Sequence, residues 1–397
     1  MPSPNPSSRT VSPRALAAPV AAVLALTLAA CGSDPDAGTT ASRATGSSDP
    51  RTAPLVYTHD GGLQVLDGES LEPRGEVALE GFNRVNPAGD DRHVLVSTAA
   101  GFTLLDAVAG EMTGTTFDGA EPGHVVRHAG RTVLFTDGTG EVRVLDSDDL
   151  TGDAESIASP EAHHGVAIEL ANGELVTTVG NAETRSGVRV LDADREEVAR
   201  NEECPGVHGE ATARDEAVVV GCEDGLLVYR DGVLTKVQSP DAYGRVGNQA
   251  GSDESAVVLG DYKTDPDAER ERPTRISLTD TTDGTMRLVD LGASYSFRSL
   301  GRGPDGEALV LGDDGALHVV DPDTAEVSAS HPVTEPWVEP VDWQQPRPSL
   351  FVRGGEAFVT EPATRELHRV DLGTGEVVET ATLDHVPNEL TGVVATS

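Results

Sequence analysis

Lysine is almost missing from this chain of 397 residues. Only Lys236 and Lys263 are lysines among 29 basic residues, and 67 acidic residues set the formal charge at 29 − 67 = −38. Phosphate backbones and anionic headgroups bind clustered Lys and Arg, so nucleic acid is excluded as a partner. Aromatic residues are also scarce, at 4%, and there are three cysteines. No G-x-S-x-G elbow, H-E-x-x-H helix or phosphate-binding loop occurs, and no G-x-G-x-x-G opens a helix after a strand, which removes ordinary hydrolase and nucleotide chemistry. No window of about 12 residues keeps the 3.6-residue period of an amphipathic helix. What the chain does have is 43 Gly, 25 Pro and 37% apolar residues, the composition of a turn-rich fold that still buries a core.

The N-terminus reads as a targeting segment. Arg9 and Arg14 precede an apolar run, Ala15 to Ala30, that is short for a membrane span and contains Pro19. It ends Leu28-Ala29-Ala30-Cys31, the pattern of a bacterial lipobox, so residues 1–30 are expected to be a signal peptide and Cys31 to be lipidated. Residues 31–53 consist largely of Gly, Ser, Thr, Asp, Ala and Pro and read as a flexible tether. The folded unit is expected over 54–397, exported and held at the outer face of the cytoplasmic membrane only by its lipid. Cys204 and Cys222 remain. In an oxidising compartment this pair, 18 residues apart, reads first as a disulfide; no C-x-x-C spacing favours the alternative, a thiolate metal pair.

From Pro54 onward the sequence repeats. Runs ending in apolar-x-apolar-Asp recur at Leu63–Asp67, Phe102–Asp106, Val142–Asp146, Val188–Asp192, Leu317–Asp321 and Leu367–Asp371, with degraded copies at Leu226–Tyr229 and Ile276–Asp280. Eight copies in 344 residues give 43 residues each, and each copy has room for four short strands. That is the signature of an all-β fold, a single β-propeller of eight blades with four antiparallel strands apiece. Seven blades is the alternative, because the copy from Ala256 to Pro304 is irregular. The first copy lacks an innermost strand and the chain ends in an extra one, Leu390 to Thr396, so the C-terminal strand is expected to complete the first blade and close the ring.

Five of the eleven histidines, His124, His128, His163, His164 and His208, fall close together in sequence. Four of them lie on approaches to innermost strands, at Pro122-Gly123-His124, Ala162-His163-His164-Gly165 and Gly206-Val207-His208-Gly209. The steps 164 − 124 = 40 and 208 − 164 = 44 are one blade each. All such approaches share one face of a propeller, so three neighbouring blades would aim an imidazole apiece at the channel mouth. Imidazoles from separate rigid elements suit zinc, with a carboxylate or water as fourth ligand. Asp137, in the loop Thr136 to Gly140, is a candidate for that position, and Glu121 competes with it. His163 and His128 are further candidates. The acidic surroundings are expected to raise the imidazole pKa values, so that metal affinity falls as pH drops through about 7 to 6.

The runs Gly123–Arg131, Phe135–Gly140, His163–Ala167 and Cys204–Ala211 with Cys222 resemble the AztD-type zinc metallochaperones, exported β-propellers that hand zinc to the substrate-binding protein of a zinc ABC importer. The resemblance implies zinc as the metal, ligands among His124, His164 and His208, a Cys204–Cys222 disulfide and that importer protein as partner. It departs at Glu111 to Pro122, where the family carries a His/Asp-rich loop and this chain has no histidine. A second, loop-borne zinc site is not expected here.

Three functions compete at this stage: a monomeric metallochaperone without enzymatic activity, a non-catalytic interaction propeller whose histidines are structural, and a propeller lactonase in which the metal would polarise a substrate oxygen. The first is favoured by the register of the histidines and by an acidic surface that concentrates divalent cations.

Overall fold

Each apolar-x-apolar-Asp run forms the third strand, counted from the centre, of its own four-stranded sheet. The Asp ends that strand for a definite reason. Its carboxylate accepts backbone N–H groups from the turn that follows: Asp67 from Glu69 and Ser70, Asp106 from Val108 and Ala109, Asp321 from Asp323 and Thr324. These are Asx turns, which fix the chain reversal into the outermost strand. The Thr324 and Asp323 amides hold the Asp321 carboxyl below the ordinary carboxylate range. The degraded fifth copy needs no such Asp. There Asp231 and Gly232 both take positive φ, 51° and 80°, and join Arg230 to Val233 in a two-residue hairpin.

The structure, a computed structural model, describes residues 53–394. The expected signal segment, Cys31 and residues 32–52 of the tether lie outside the described residues, as do Ala395 and Thr396 of the expected closing strand. Within them, eight antiparallel sheets form an eight-bladed β-propeller, and one short 3₁₀ turn, Arg214–Glu216, is the helical content. Among the described residues no helix is long and apolar enough to cross a membrane.

Blade 1 holds Leu55–His59, Gly62–Leu66 and Pro73–Ala78, and its innermost strand is Leu390–Gly392, paired Leu55 to Gly392 and Tyr57 to Leu390. The ring therefore closes as expected, by the last strand entering the first blade. Arg298 and Glu389, both nearly buried, meet at 2.5 Å beside that seam, and the Arg353 guanidinium reaches the Ala53 carbonyl. Blade 3 contains Pro122–His128, Arg131–Thr136, Glu141–Asp146 and Glu155–Ala158, from the centre outward. Blade 4 contains Ala167–Glu169, Leu175–Gly180, Arg185–Leu191 and Glu197–Asn201, and blade 5 contains His208–Ala213, Ala217–Cys222, Asp224–Arg230 and Val233–Gln238. The irregular copy is the sixth blade, where the inner strand is only Gln249–Ala250 and a long excursion separates Val257–Asp261 from Arg275–Asp280. The Glu111 to Pro122 segment, where the resemblance fails, is mostly the outermost strand of blade 2, Glu111–Asp118.

The core is not one mass. Eight apolar clusters lie one between each pair of neighbouring blades, including Leu55, Tyr57, Leu66, Phe358 and Leu367 across the closing seam. Middle strands such as Ala217–Cys222 are buried along their length, whereas outermost strands such as Glu376–Thr382 are largely exposed. Burial on both faces of a middle strand explains its continuous Val-rich runs.

Candidate metal centre

Two of the three registered histidines are aimed by irregularities in innermost strands. In blade 3 the pairing jumps from Pro122–Thr136 to Val125–Leu134, leaving Gly123 and His124 as a bulge. In blade 5 it jumps from His208–Gly221 to Glu210–Val220, with Gly209 at φ 71°. A bulge breaks the alternation of a strand and redirects a side chain. His164 stands in the loop that leads into Ala167–Glu169.

Together these place the rings of His124, His164 and His208 with centroids 5.0 to 5.6 Å apart, each with one ligand atom within 4.8 Å of the others. Two of the Nδ1 atoms are occupied on the protein side: that of His164 is 2.5 Å from Asp137 Oδ2, and that of His208 donates to the Gly247 carbonyl at 2.5 Å. Such acceptors favour the Nδ1–H tautomer, which leaves Nε2 of His164 and His208 with a free lone pair. His124 Nδ1 lies 3.1 Å from Glu210 Oε2 without a hydrogen bond between them. No protein hydrogen bond engages any of the three Nε2 atoms among the described residues. His164 is 40% exposed at its side chain, so the group opens outward.

Electrostatics at His208 run opposite to the expectation from net charge. Burial pushes its pKa well below the ordinary imidazole value, and the neighbouring His124 ring pushes the same way. Desolvation by the channel wall outweighs the diffuse negative field, because the acidic residues lie mostly at the solvated surface.

The other candidates fall elsewhere. Asp137 lies on the expected face but behind a ligand, holding His164 by its Nδ1 and accepting the Gly165 N–H. Gly123 permits this, since a Cβ there would overlap the Asp137 carboxylate. Glu121 is exposed, with φ 55°, and its carbonyl takes the Asp137 N–H; it rims the cavity beside His164 and stands outside the trio. His163 is buried with both ring nitrogens used, on the Glu161 carbonyl and the Thr178 hydroxyl at 2.9 Å each, and so has no lone pair to offer. Burial also lowers its pKa. His128 ends its strand four residues beyond His124 and pairs with Glu216 at 2.8 Å. Cys204 and Cys222 form a disulfide.

Glu210 was missed by sequence reasoning. Its Oε2 is buried, has no hydrogen-bond partner and faces His124. The available signal was its place in the innermost strand that His208 opens, next to Gly209. The Gly247 carbonyl left no signal, since any residue supplies one.

Three imidazoles whose Nε2 atoms make no protein hydrogen bond, beside an unpartnered buried carboxylate oxygen, make a donor set of zinc type. No family model matches the chain. The zinc chaperone AztD of Citrobacter koseri is 26% identical over 281 residues, which is 67% of this chain and 64% of the relative. The structure of apo AztD from Citrobacter koseri superposes with a TM-score of 0.74 at 21% identity, covering 86% of this chain and 96% of that one. The chain is thus similar to AztD in sequence over that stretch, and in fold. Its match to the AztD sequence spans a little less than two thirds of that protein's own length. The propeller is shared more widely than the AztD likeness: the dihydro-heme d1 dehydrogenase NirN reaches a TM-score of 0.60 at 14% identity, covering 86% of this chain and 75% of its own. The computationally designed Ika8 protein reaches 0.53 at 14% identity, covering 78% and 90%. These two likenesses concern fold alone.

Proposed function

We propose that this chain is an extracytoplasmic zinc chaperone that carries zinc as cargo on His124, His164 and His208 and passes it to the substrate-binding protein of a zinc ABC importer. Cys31 anchors it by a lipid, and the propeller works as a monomer without catalytic turnover. The observation that carries the reading is the trio itself: three blades contribute one imidazole each, with the Nδ1 atoms of His164 and His208 turned to protein acceptors and no Nε2 in a protein hydrogen bond. Acceptors behind the ligands fix ring orientation before metal arrives and raise ligand basicity. Glu210 supplies a carboxylate oxygen with no other partner. The partial exposure of His164 supports a role in transfer, because a second protein's ligand can attack only a metal it can reach.

The test is zinc transfer. Purified zinc-loaded protein is mixed with the apo substrate-binding protein, and zinc on each is measured after separation. Transfer faster than spontaneous dissociation into a chelator supports direct hand-over. A chain that binds no zinc would instead leave an interaction propeller, and hydrolysis in a lactone screen with metal bound would turn the reading toward an enzyme. Mass spectrometry of the native N-terminus checks the anchor, since an unmodified Cys31 still joined to Ala30 rules it out.

A further inference from the structure

We propose a second divalent-cation site, of zinc type, formed by His59, Glu76 and His385 at the seam where the ring closes. It is independent of the His124 group and draws on other blades. His59 ends the strand Leu55–His59, Glu76 lies in the outermost strand of blade 1, and His385 lies between the last strand of blade 8, Glu376–Thr382, and the closing strand Leu390–Gly392.

The two imidazoles stack, with centroids 3.9 Å apart and planes 9° from parallel, and His385 Nε2 lies 3.3 Å from Glu76 Oε1. One ligand atom from each of the three residues lies within 4.8 Å of the other two. His59 carries the decisive detail. It is 7% exposed, and its Nδ1 donates to the Asp60 carbonyl at 2.9 Å, which leaves the lone pair on Nε2. That Nε2 is buried and has no hydrogen-bond partner. A buried acceptor without a donor is rare in proteins, and a Lewis acid satisfies it as well as a proton donor does. His385 and Glu76 are 37% and 57% exposed at their side chains, so a cation approaches from solvent and meets the buried nitrogen last. Two imidazoles and a carboxylate with an open fourth position form a donor set that zinc accepts. His59 also borders a cavity of about 390 Å³, with Thr58, Phe82 and Asn388 on its walls.

The site has a structural consequence. His59 and His385 belong to the first strand and to the approach to the last, so a shared metal cross-links the two segments that close the ring. Zinc there protects the pairing of Leu55–His59 with Leu390–Gly392 against opening.

The experiment measures zinc stoichiometry of the full chain, with zinc alone as the probe, buffered by a competing chelator. Wild type is expected to take two equivalents. The triple variant His124→Ala, His164→Ala, His208→Ala is expected to keep one, and adding His385→Ala to remove it; adding Glu76→Gln instead should weaken it by about tenfold. His385 and Glu76 are chosen because they are exposed, whereas loss of buried His59 could unfold the seam. A second readout is hydrogen exchange of residues 55–59 and 390–392 in the triple variant, which zinc should slow, and which it should leave unchanged once His385 is Ala. A triple variant that binds no zinc overturns the proposal while leaving the chaperone site standing. A remaining equivalent that neither His385→Ala nor Glu76→Gln disturbs also overturns it. Conversely, a single wild-type equivalent that is lost with His385→Ala and kept by the triple variant sustains this site and defeats the chaperone reading.

Discussion

Asp137, in the loop of blade 3, holds His164 of blade 4 by its Nδ1, with 2.5 Å between the two atoms. A carboxylate behind a ligating imidazole fixes its tautomer and its angle, and removing such a partner costs about 10- to 100-fold in metal affinity. Asp137→Ala should therefore weaken zinc binding by about that factor while thermal melting stays close to the parent, because the carboxylate braces no strand pairing. Competition with a chelator reads the affinity. Unchanged affinity would mean that His164 orients itself.

Glu210 should show the opposite coupling between function and stability. Its Oε2 is buried without a hydrogen-bond partner, an arrangement that costs about 1–3 kcal/mol in the metal-free protein. Replacing Glu210 with Gln removes the charge that must be desolvated and keeps the shape. Metal-free Glu210→Gln is expected to melt higher than the parent yet bind zinc at least about tenfold more weakly. A variant that melts lower and binds as well as the parent would make Glu210 a structural residue.

Most of the fold was legible because a propeller repeats its own grammar. The Asp that ends most third strands is a side-chain cap, and a cap is a property of residue type at a fixed position, visible in sequence. The register of His124, His164 and His208 was legible for the same reason, since one blade length carries a residue to the equivalent place in the next. What escaped was contact across blades. That His163 spends both nitrogens on Glu161 and Thr178 while the adjacent His164 spends one depends on where the chain enters blade 4, and both residues fit the spacing equally well. The sign of the His208 shift escaped too, because net charge is a sum over the chain whereas desolvation is local.

The pH dependence of metal binding follows from that shift. Three ordinary imidazoles, with pKa near 6.5, would together release up to about three protons per zinc bound below pH 6. Burial holds the folded pKa of His208 well below that value, so it adds less to this release than an ordinary imidazole. Zinc affinity should consequently fall with a slope shallower than about three protons per metal as pH drops from about 7 to 5.5. Calorimetry in buffers of different ionisation heat counts the protons. A value of three would mean that His208 is charged before zinc binds.

Histidine substitutions should separate into two classes. His124→Ala, His164→Ala and His208→Ala are expected to lose zinc affinity steeply and keep the fold, since strand pairing closes the ring. His318 and His368 act as the reverse control. Each is buried and bonded at both nitrogens, to Ser330 and Asp314 in one case and to Thr380 and Glu361 in the other. Their Ala variants should lose about 1–3 kcal/mol of stability and leave the affinity of the His124 group unaltered. Zinc affinity that falls as far in His318→Ala as in His208→Ala would break the separation.

The Cys204–Cys222 bridge acts on both properties at once. Cys204 opens the segment Cys204-Pro205-Gly206-Val207 that delivers His208, and Cys222 adjoins Gly221, the strand partner of His208. Both cysteines are fully buried, so reductant reaches the bond slowly in the native protein. The two cysteines are 18 residues apart in sequence, for which chain entropy gives a stabilisation of about 3 kcal/mol. Losing the bridge should lower the unfolding free energy by about that amount. It should also weaken zinc binding, though less than loss of His208 itself, because the Gly247 carbonyl still holds the ring by its Nδ1. The double variant Cys204→Ala, Cys222→Ala tests this by chemical denaturation and chelator competition on the same sample. Thiol titration of the denatured, unreduced parent should find neither sulfur free. A double variant with parental zinc affinity would confine the disulfide to the stability of blade 5, and His208 would then owe its position to the Gly209 bulge and the Gly247 carbonyl alone.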